Sequence, residues 1–172
     1  MKKLVAYCTV QEMNIILLNF FFGFNLNIYF IFTFILTHTL LSTIFFFIVD
    51  LLYKRFNTRL TYNIKGLFKS QIGLTIHIIF AVLLYNGFPI SLKFIVEVLF
   101  LLNFMNINFV MFIFIIFICN FFGSIGFVKV WFNIIFGDLI FKKNIYDLNI
   151  FENFVLFISY FLLIAPCFLY FF

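Results

Sequence analysis

Four long apolar runs, 4–22, 28–53, 109–136 and 151–172, restrict this chain more than any other feature of its sequence. A helix rises about 1.5 Å per residue, so about 20 apolar residues cross a hydrocarbon core ~30 Å thick, and each run is close to or beyond that length. Of the 172 residues, 66% are hydrophobic and 10% charged, with a mean hydropathy of +1.24. A soluble domain of this size has too little interior for that much apolar surface, so the sequence reads as an all-α integral membrane protein. No short apolar run near the start ends in a small-residue cleavage site, and a cleaved signal peptide is not expected.

A fifth apolar region, 72–104, is interrupted by Asn86-Gly87-Phe88-Pro89. Proline has no amide proton and its ring clashes with the carbonyl four residues back. The residue before it, Phe88, is pushed out of the helical region. The helix is therefore predicted to break at Gly87–Pro89, at membrane depth, where irregular backbone is tolerated only if protein covers it or water reaches it. Lys93 and Glu97 follow within two turns. Ionisable groups so placed are costly and point to function, and a discontinuous helix beside a buried acid is one way membrane proteins build ion sites.

Region 72–104 is either one broken crossing or two stunted ones, and charge distinguishes them. With one crossing, Lys2, Lys3, the basic segment 54–71, Lys142 and Lys143 share a face, and the opposite face has no positive residue. With two, Lys142 and Lys143 change sides. The positive-inside rule favours the single broken crossing. Five transmembrane helices are predicted in one domain spanning 1–172, with crossings at 4–22, 28–53, 72–104 (discontinuous), 109–136 and 151–172. Pro166 predicts a kink in the last. Segment 54–71 holds Lys54, Arg55, Arg59, Lys65 and Lys69 without an acid and reads as an extramembrane loop.

The polar groups inside the spans each carry two readings. Glu12 lies roughly 15 Å below Lys2 along a helix. Alone there it takes up a proton; it is either part of a relay or a hydrogen-bonded acid facing the bundle. His38, flanked by Thr37, Thr39 and Ser42, has two nitrogens suited to proton transfer, or is a core histidine bonded to threonine or backbone. Lys93 and Glu97 are four apart, share a helix face and can pair. Pairing favours the charged form of Glu97 and burial the neutral form; a purely structural ion pair is the alternative. Lys129 reads as a stem that snorkels to the interface. Asp50 reads as a boundary partner of Lys54 and Arg55, and His77 as a relay near the membrane face or an interfacial side chain. Cys8, Cys119 and Cys167 sit in separate apolar runs and read as small buried side chains, with no metal or disulfide framework. The sequence has no Gly-rich nucleotide loop, cysteine cluster or paired haem histidines, so no cofactor is expected and redox chemistry is assigned to other chains.

Several stretches resemble the antiporter-like membrane-arm subunits of respiratory complex I. Residues 3–14, Lys-Leu-Val-Ala-Tyr-Cys-Thr-Val-Gln-Glu-Met-Asn, are similar to the family's K-x-(I/V)-A-Y-S-S-V-S-H-M-(G/N) segment. Residues 37–42 resemble its H-G-(L/F)-(V/S)-S stretch. Residues 52–59 resemble L-Y-(D/E)-R-x-x-T-R, and Gly66-Leu67 the G-G-L that follows. Residues 87–97 are similar to G-(L/M)-P-G-T-x-N-F-(I/V)-G-E, and Phe136-Gly137 to the F-G closing the next span. Spacing is kept over nearly the whole chain. The resemblance implies a C-terminal portion of a proton-translocating subunit, with the preceding spans on a separate chain. It implies other membrane-arm subunits and lipids as partners, no nucleic acid, and a mitochondrial inner membrane with the basic loops on the matrix side. The abundance of Phe, 34 residues, fits an AT-rich organellar gene. The implied proton relay comprises Glu97, His38, Glu12 and Lys93, with Glu97 as the terminal acid of the discontinuous helix. Two branches of the family fit: one carries an acid at the position of Glu97, the other usually lysine, and Glu97 with the Arg-rich loop favours the first. The alternatives are a stand-alone multi-subunit cation/proton antiporter component and a non-catalytic assembly subunit. The chain departs from the family pattern at Glu12 (histidine in the family), Lys93 (asparagine), and Ile90 and Val96 (glycines).

Overall fold

The structure is a computed structural model. It describes residues 1–22, 28–58, 60–105, 110–138 and 146–171; of 18–22, 28–30, 103–105, 110–113, 115–117, 119 and 168–171 it describes the backbone alone. Arg59, Lys142, Lys143 and the side chain of Cys119 lie outside the described residues. The helices are α1 (Lys2–Phe22), α2 (Ile28–Phe56), α3 (Leu67–Ser70), α4 (Ile72–Tyr85), α5 (Leu92–Met105), α6 (Val110–Phe136) and α7 (Ile150–Phe171), with a 3-10 turn at Thr61–Asn63. Among the described residues there is no strand. Among the described residues, two stretches are long and apolar enough to cross a membrane by themselves, Ile31–Phe56 and Ile150–Cys167; Ile72–Tyr85 and Asn120–Phe136 are shorter apolar helices.

Helix α2 packs against α1, α4, α5 and α7, while α6 packs against α1, α3, α4 and α5. The broken pair α4–α5 is thus held between α2 and α6. An aromatic cluster joins these layers: the Phe45 ring lies 5.8 Å from Tyr85, 4.9 Å from Phe127 and 5.6 Å from Trp131, and Tyr85 lies 4.3 Å from Phe127. All four are buried. Such pairs add about 0.5–1.5 kcal/mol each beyond their area. Glu12 of α1 meets His38 of α2, and Val5 lines the same crevice as Phe45, so α1 and α2 run antiparallel. The start of α1, the end of α2, the start of α4, the end of α6 and the start of α7 gather at one end of the bundle, as Arg55 reaching Tyr146, Asp147 contacting Gly73, and Lys65 lying against Gly137 require.

At that end the segment expected as an extramembrane loop packs partly onto the bundle. Helix α2 runs past Tyr53 to Phe56, with Lys54 and Arg55 in its last turn, where cations are favoured by the negative end of the helix dipole. Asn57 then takes a left-handed conformation (φ 52). Beyond it, Ile64, Leu67 and Gln71 are completely buried, so the segment seats two of its apolar residues on the bundle while Leu60, Tyr62 and Phe68 stay exposed. Inside the helices, hydroxyls satisfy themselves locally: Thr37, Thr75 and Ser159 each donate to the carbonyl three residues back. This costs little where no water competes. The described helix α7 continues through Pro166.

Candidate functional site

The break predicted at Gly87–Pro89 is built from two caps. Helix α4 ends in a Schellman motif: Gly87 N–H donates to Leu84 O (3.2 Å), Phe88 N–H to Leu83 O (3.2 Å), and Gly87 sits at φ 71. Glycine is the residue for which that conformation carries no penalty. Helix α5 starts on Ser91, whose hydroxyl oxygen accepts from Phe94 N–H (3.3 Å) while donating to Phe88 O (2.7 Å). Both helix ends are thereby satisfied within the interruption. Gly87 has a second role. A Cβ there would lie 2.8 Å from Glu97 Oε2, so the missing side chain is what lets the Glu97 carboxylate rest against the break.

Around the break stands a continuous set of ionisable groups from three helices. Glu12 Oε2 lies 2.5 Å from His38 Nδ1, and Glu12 Oε1 accepts from Lys93 Nζ. Lys93 Nζ is 3.8 Å from Glu97 Oε1 and 3.8 Å from the centroid of the Tyr85 ring, a cation–π contact. The side chains of His38, Glu12 and Lys93 are 4%, 10% and 14% exposed, whereas that of Glu97 is 41% exposed, so the set runs from a closed end at His38 to an open end at Glu97. A cavity of about 230 Å³ borders all four and extends past Asn86 to Asn120. Gln11 reaches across it from α1, donating to Asn120 Oδ1 at 3.1 Å, and its amide occupies the space that a Cβ on Gly123 would need. A water occupies roughly 30 Å³ of liquid, so the cavity holds several, beside groups that bind them. Polar side chains in contact with a wet cavity can pass protons by hydrogen-bonded exchange.

The structure brings together the four residues assigned to the relay from the sequence, with different pairing. Lys93 meets Glu12, and Glu97 is its more distant neighbour. The i, i+4 spacing brought out the weaker contact, because both residues are on one helix, while Glu12 is 81 positions away. A signal for the stronger contact was present. The two departures from the family pattern that introduce charge, Glu12 for histidine and Lys93 for asparagine, are opposite in sign and touch in space. Tyr85 had no sequence signal as a site residue, and Gly87 was marked by the break but not as the neighbour of Glu97.

The remaining polar groups form a second cluster at the basic end. Arg55 donates to Glu152 (2.5 Å) and to the carbonyls of Tyr146 and Asp147, so it turns away from Asp50, which keeps Lys54 alone at 3.0 Å. Asp147 accepts from the amides of Gly73 (2.7 Å) and Leu74 (3.1 Å), capping the N-terminus of α4. Partial burial opposes the charge on Asp147, but the amides of Gly73, Leu148 and Leu74 outweigh it and hold the carboxyl below its ordinary range. His77 bonds Asn153 (2.6 Å) and stacks on Tyr160, whose hydroxyl donates to the His77 carbonyl. It is a junction between α4 and α7, remote from the relay set.

An apolar helical bundle with a buried acid–base set at the break of a discontinuous helix is the plan of an antiporter-type membrane domain. The chain belongs to the family described as NADH:quinone oxidoreductase/Mrp antiporter, transmembrane, whose model matches residues 1–123 and so contains the whole relay set. It is 44% identical over 97 residues, 56% of its length, to NADH-ubiquinone oxidoreductase chain 4 of Paramecium tetraurelia; the match spans 20% of that relative.

Proposed function

We propose that this chain is a proton-translocating segment of respiratory complex I, corresponding to a C-terminal portion of chain 4. In this reading it passes protons along His38, Glu12, Lys93 and Glu97 while other subunits carry electrons from NADH to ubiquinone. The observation that carries it is the acid–base set gathered on one cavity and ending at the discontinuous helix. Family membership and the chain 4 relative support the setting, and Glu97 supports chain 4 over chain 2, which usually has lysine there. The gathering of Lys2, Lys3, Lys54, Arg55, Lys65 and Lys69 near one end of the bundle supports five crossings, with α4 and α5 as one broken span and that end in the matrix. Under this topology the chain lies in the mitochondrial inner membrane, with lipid on its outer faces and other membrane-arm subunits beside it.

The test is Glu97→Gln. Proton pumping and coupled NADH oxidation are expected to fall while the assembly persists on native gels; normal coupled turnover in an assembled mutant would remove Glu97 from the relay. The family's Mrp side supports a second reading, a cation/proton antiporter component. Sodium-dependent proton exchange in vesicles free of NADH dehydrogenase activity would favour it.

A further inference from the structure

Lys93 is the one group that touches both acids, and the chemistry of that position goes beyond membership in a relay. It reaches Glu12 on α1 and sits 3.8 Å from Glu97 on its own helix. A charged N–H···O bond is about 2.7–2.9 Å long, so a shift of roughly 1 Å by a flexible four-carbon stem completes the second contact. The Tyr85 ring face beneath the ammonium is in reach from either position and keeps it within the set. His38 faces Glu12 from α2, so the titratable groups around Lys93 come from α1, α2, α4 and α5. One cation cannot neutralise two carboxylates at membrane depth, where the cavity admits only a few waters. A carboxylate left without a partner there is costly, and the group takes a proton instead.

We propose that Lys93 is a counter-ion shared between Glu12 and Glu97, so that one of the two acids is ionised and the other protonated, and Lys93 exchanges between them. This rests on the proton-translocating reading and assigns the residues their parts. In the resting arrangement Glu12 is ionised and Glu97 holds a proton. A proton arriving on His38 Nε2 makes the ring cationic, and the proton on Nδ1 passes to Glu12 Oε2: the Nδ1–H bond breaks and the O–H bond forms. Lys93, an ammonium throughout, turns to Glu97. The O–H bond of Glu97 breaks, and its proton leaves to water in the cavity. One proton enters and one leaves, and the net charge of the set is the same before and after. The closed end, at Glu12, is loaded before the open end, at Glu97, discharges.

Infrared difference spectroscopy on the intact assembly in lipid, at neutral pH, reads the carbonyl stretch of protonated carboxylic acids. Glu97→Gln is expected to remove one such band. Glu12→Gln is expected to remove the same band, because Lys93 then serves Glu97 alone. Lys93→Met is expected to add a second band. A Glu97 band that survives in Glu12→Gln, or no band lost in Glu97→Gln, overturns the shared counter-ion; the first comparison stands even if Lys93→Met does not assemble. Proton pumping is measured separately on the same preparations. Unchanged pumping in Glu97→Gln with the infrared pattern intact would overturn the transport reading and leave the shared counter-ion standing.

Discussion

At the scale of single residues, the site depends on two exchanges that compensate one another. Glu12 and Lys93 are both nearly buried and each supplies the other's charge. Removing one member of a buried pair forces the other to find a new partner or to change its protonation, at a cost of up to about 3–5 kcal/mol. Lys93→Asn and Glu12→Gln are each expected to lower the thermal stability of the assembly. The double variant Glu12→Gln/Lys93→Asn is expected to lose less than the sum, because no uncompensated charge remains. Additive losses would show that the pair is not energetically coupled. Gly87 is required twice, by its φ of 71 and by the carboxylate it admits. Gly87→Ala is expected to destabilise by about 1–2 kcal/mol from the left-handed backbone alone, and to displace Glu97 as well. Gly87→Asn, which tolerates that backbone better, separates the two effects: recovered thermal stability without recovered pumping would isolate the steric one.

At the scale of elements, the discontinuous helix is two ordinary helices whose facing ends are both capped. Its break was legible because Gly87 and Pro89 act through local backbone chemistry, which sequence carries directly. The Lys93–Glu12 contact was less legible, since it is a meeting of α5 with α1 that no periodicity encodes. How the basic segment 54–71 packs was less legible for a related reason. Five cations dominate its composition, yet the buried Ile64, Leu67 and Gln71 determine where it lies. The end of α4 beside it is fixed by Asp147, whose carboxyl is held below its ordinary range. Protonation therefore weakens the cap: its stabilisation is complete above the unfolded carboxyl value, near 4, and is lost as pH falls through the lower folded value. Hydrogen exchange at Gly73 and Leu74, corrected for intrinsic rates, is expected to stay slow at neutral pH and to quicken in strong acid. Asp147→Asn is expected to quicken it already at neutral pH. Equal protection of these amides in the variant would remove the ionised cap from the description.

At the scale of the whole molecule, α2 and α6 hold the broken pair α4–α5 between them, and the aromatic cluster of Phe45, Tyr85, Phe127 and Trp131 anchors the break from below. Tyr85 belongs to both the core and the site, so packing and charge meet at one ring. The chain matches a fifth of its chain 4 relative, and the proposed function requires the rest of such a subunit beside it. The most direct test is gentle extraction from native membranes, native-gel separation, and mass spectrometry of the band that contains this chain. Co-migration with NADH dehydrogenase activity and with other membrane-arm subunits is the expected result. Migration in a small assembly without that activity would contradict the respiratory role.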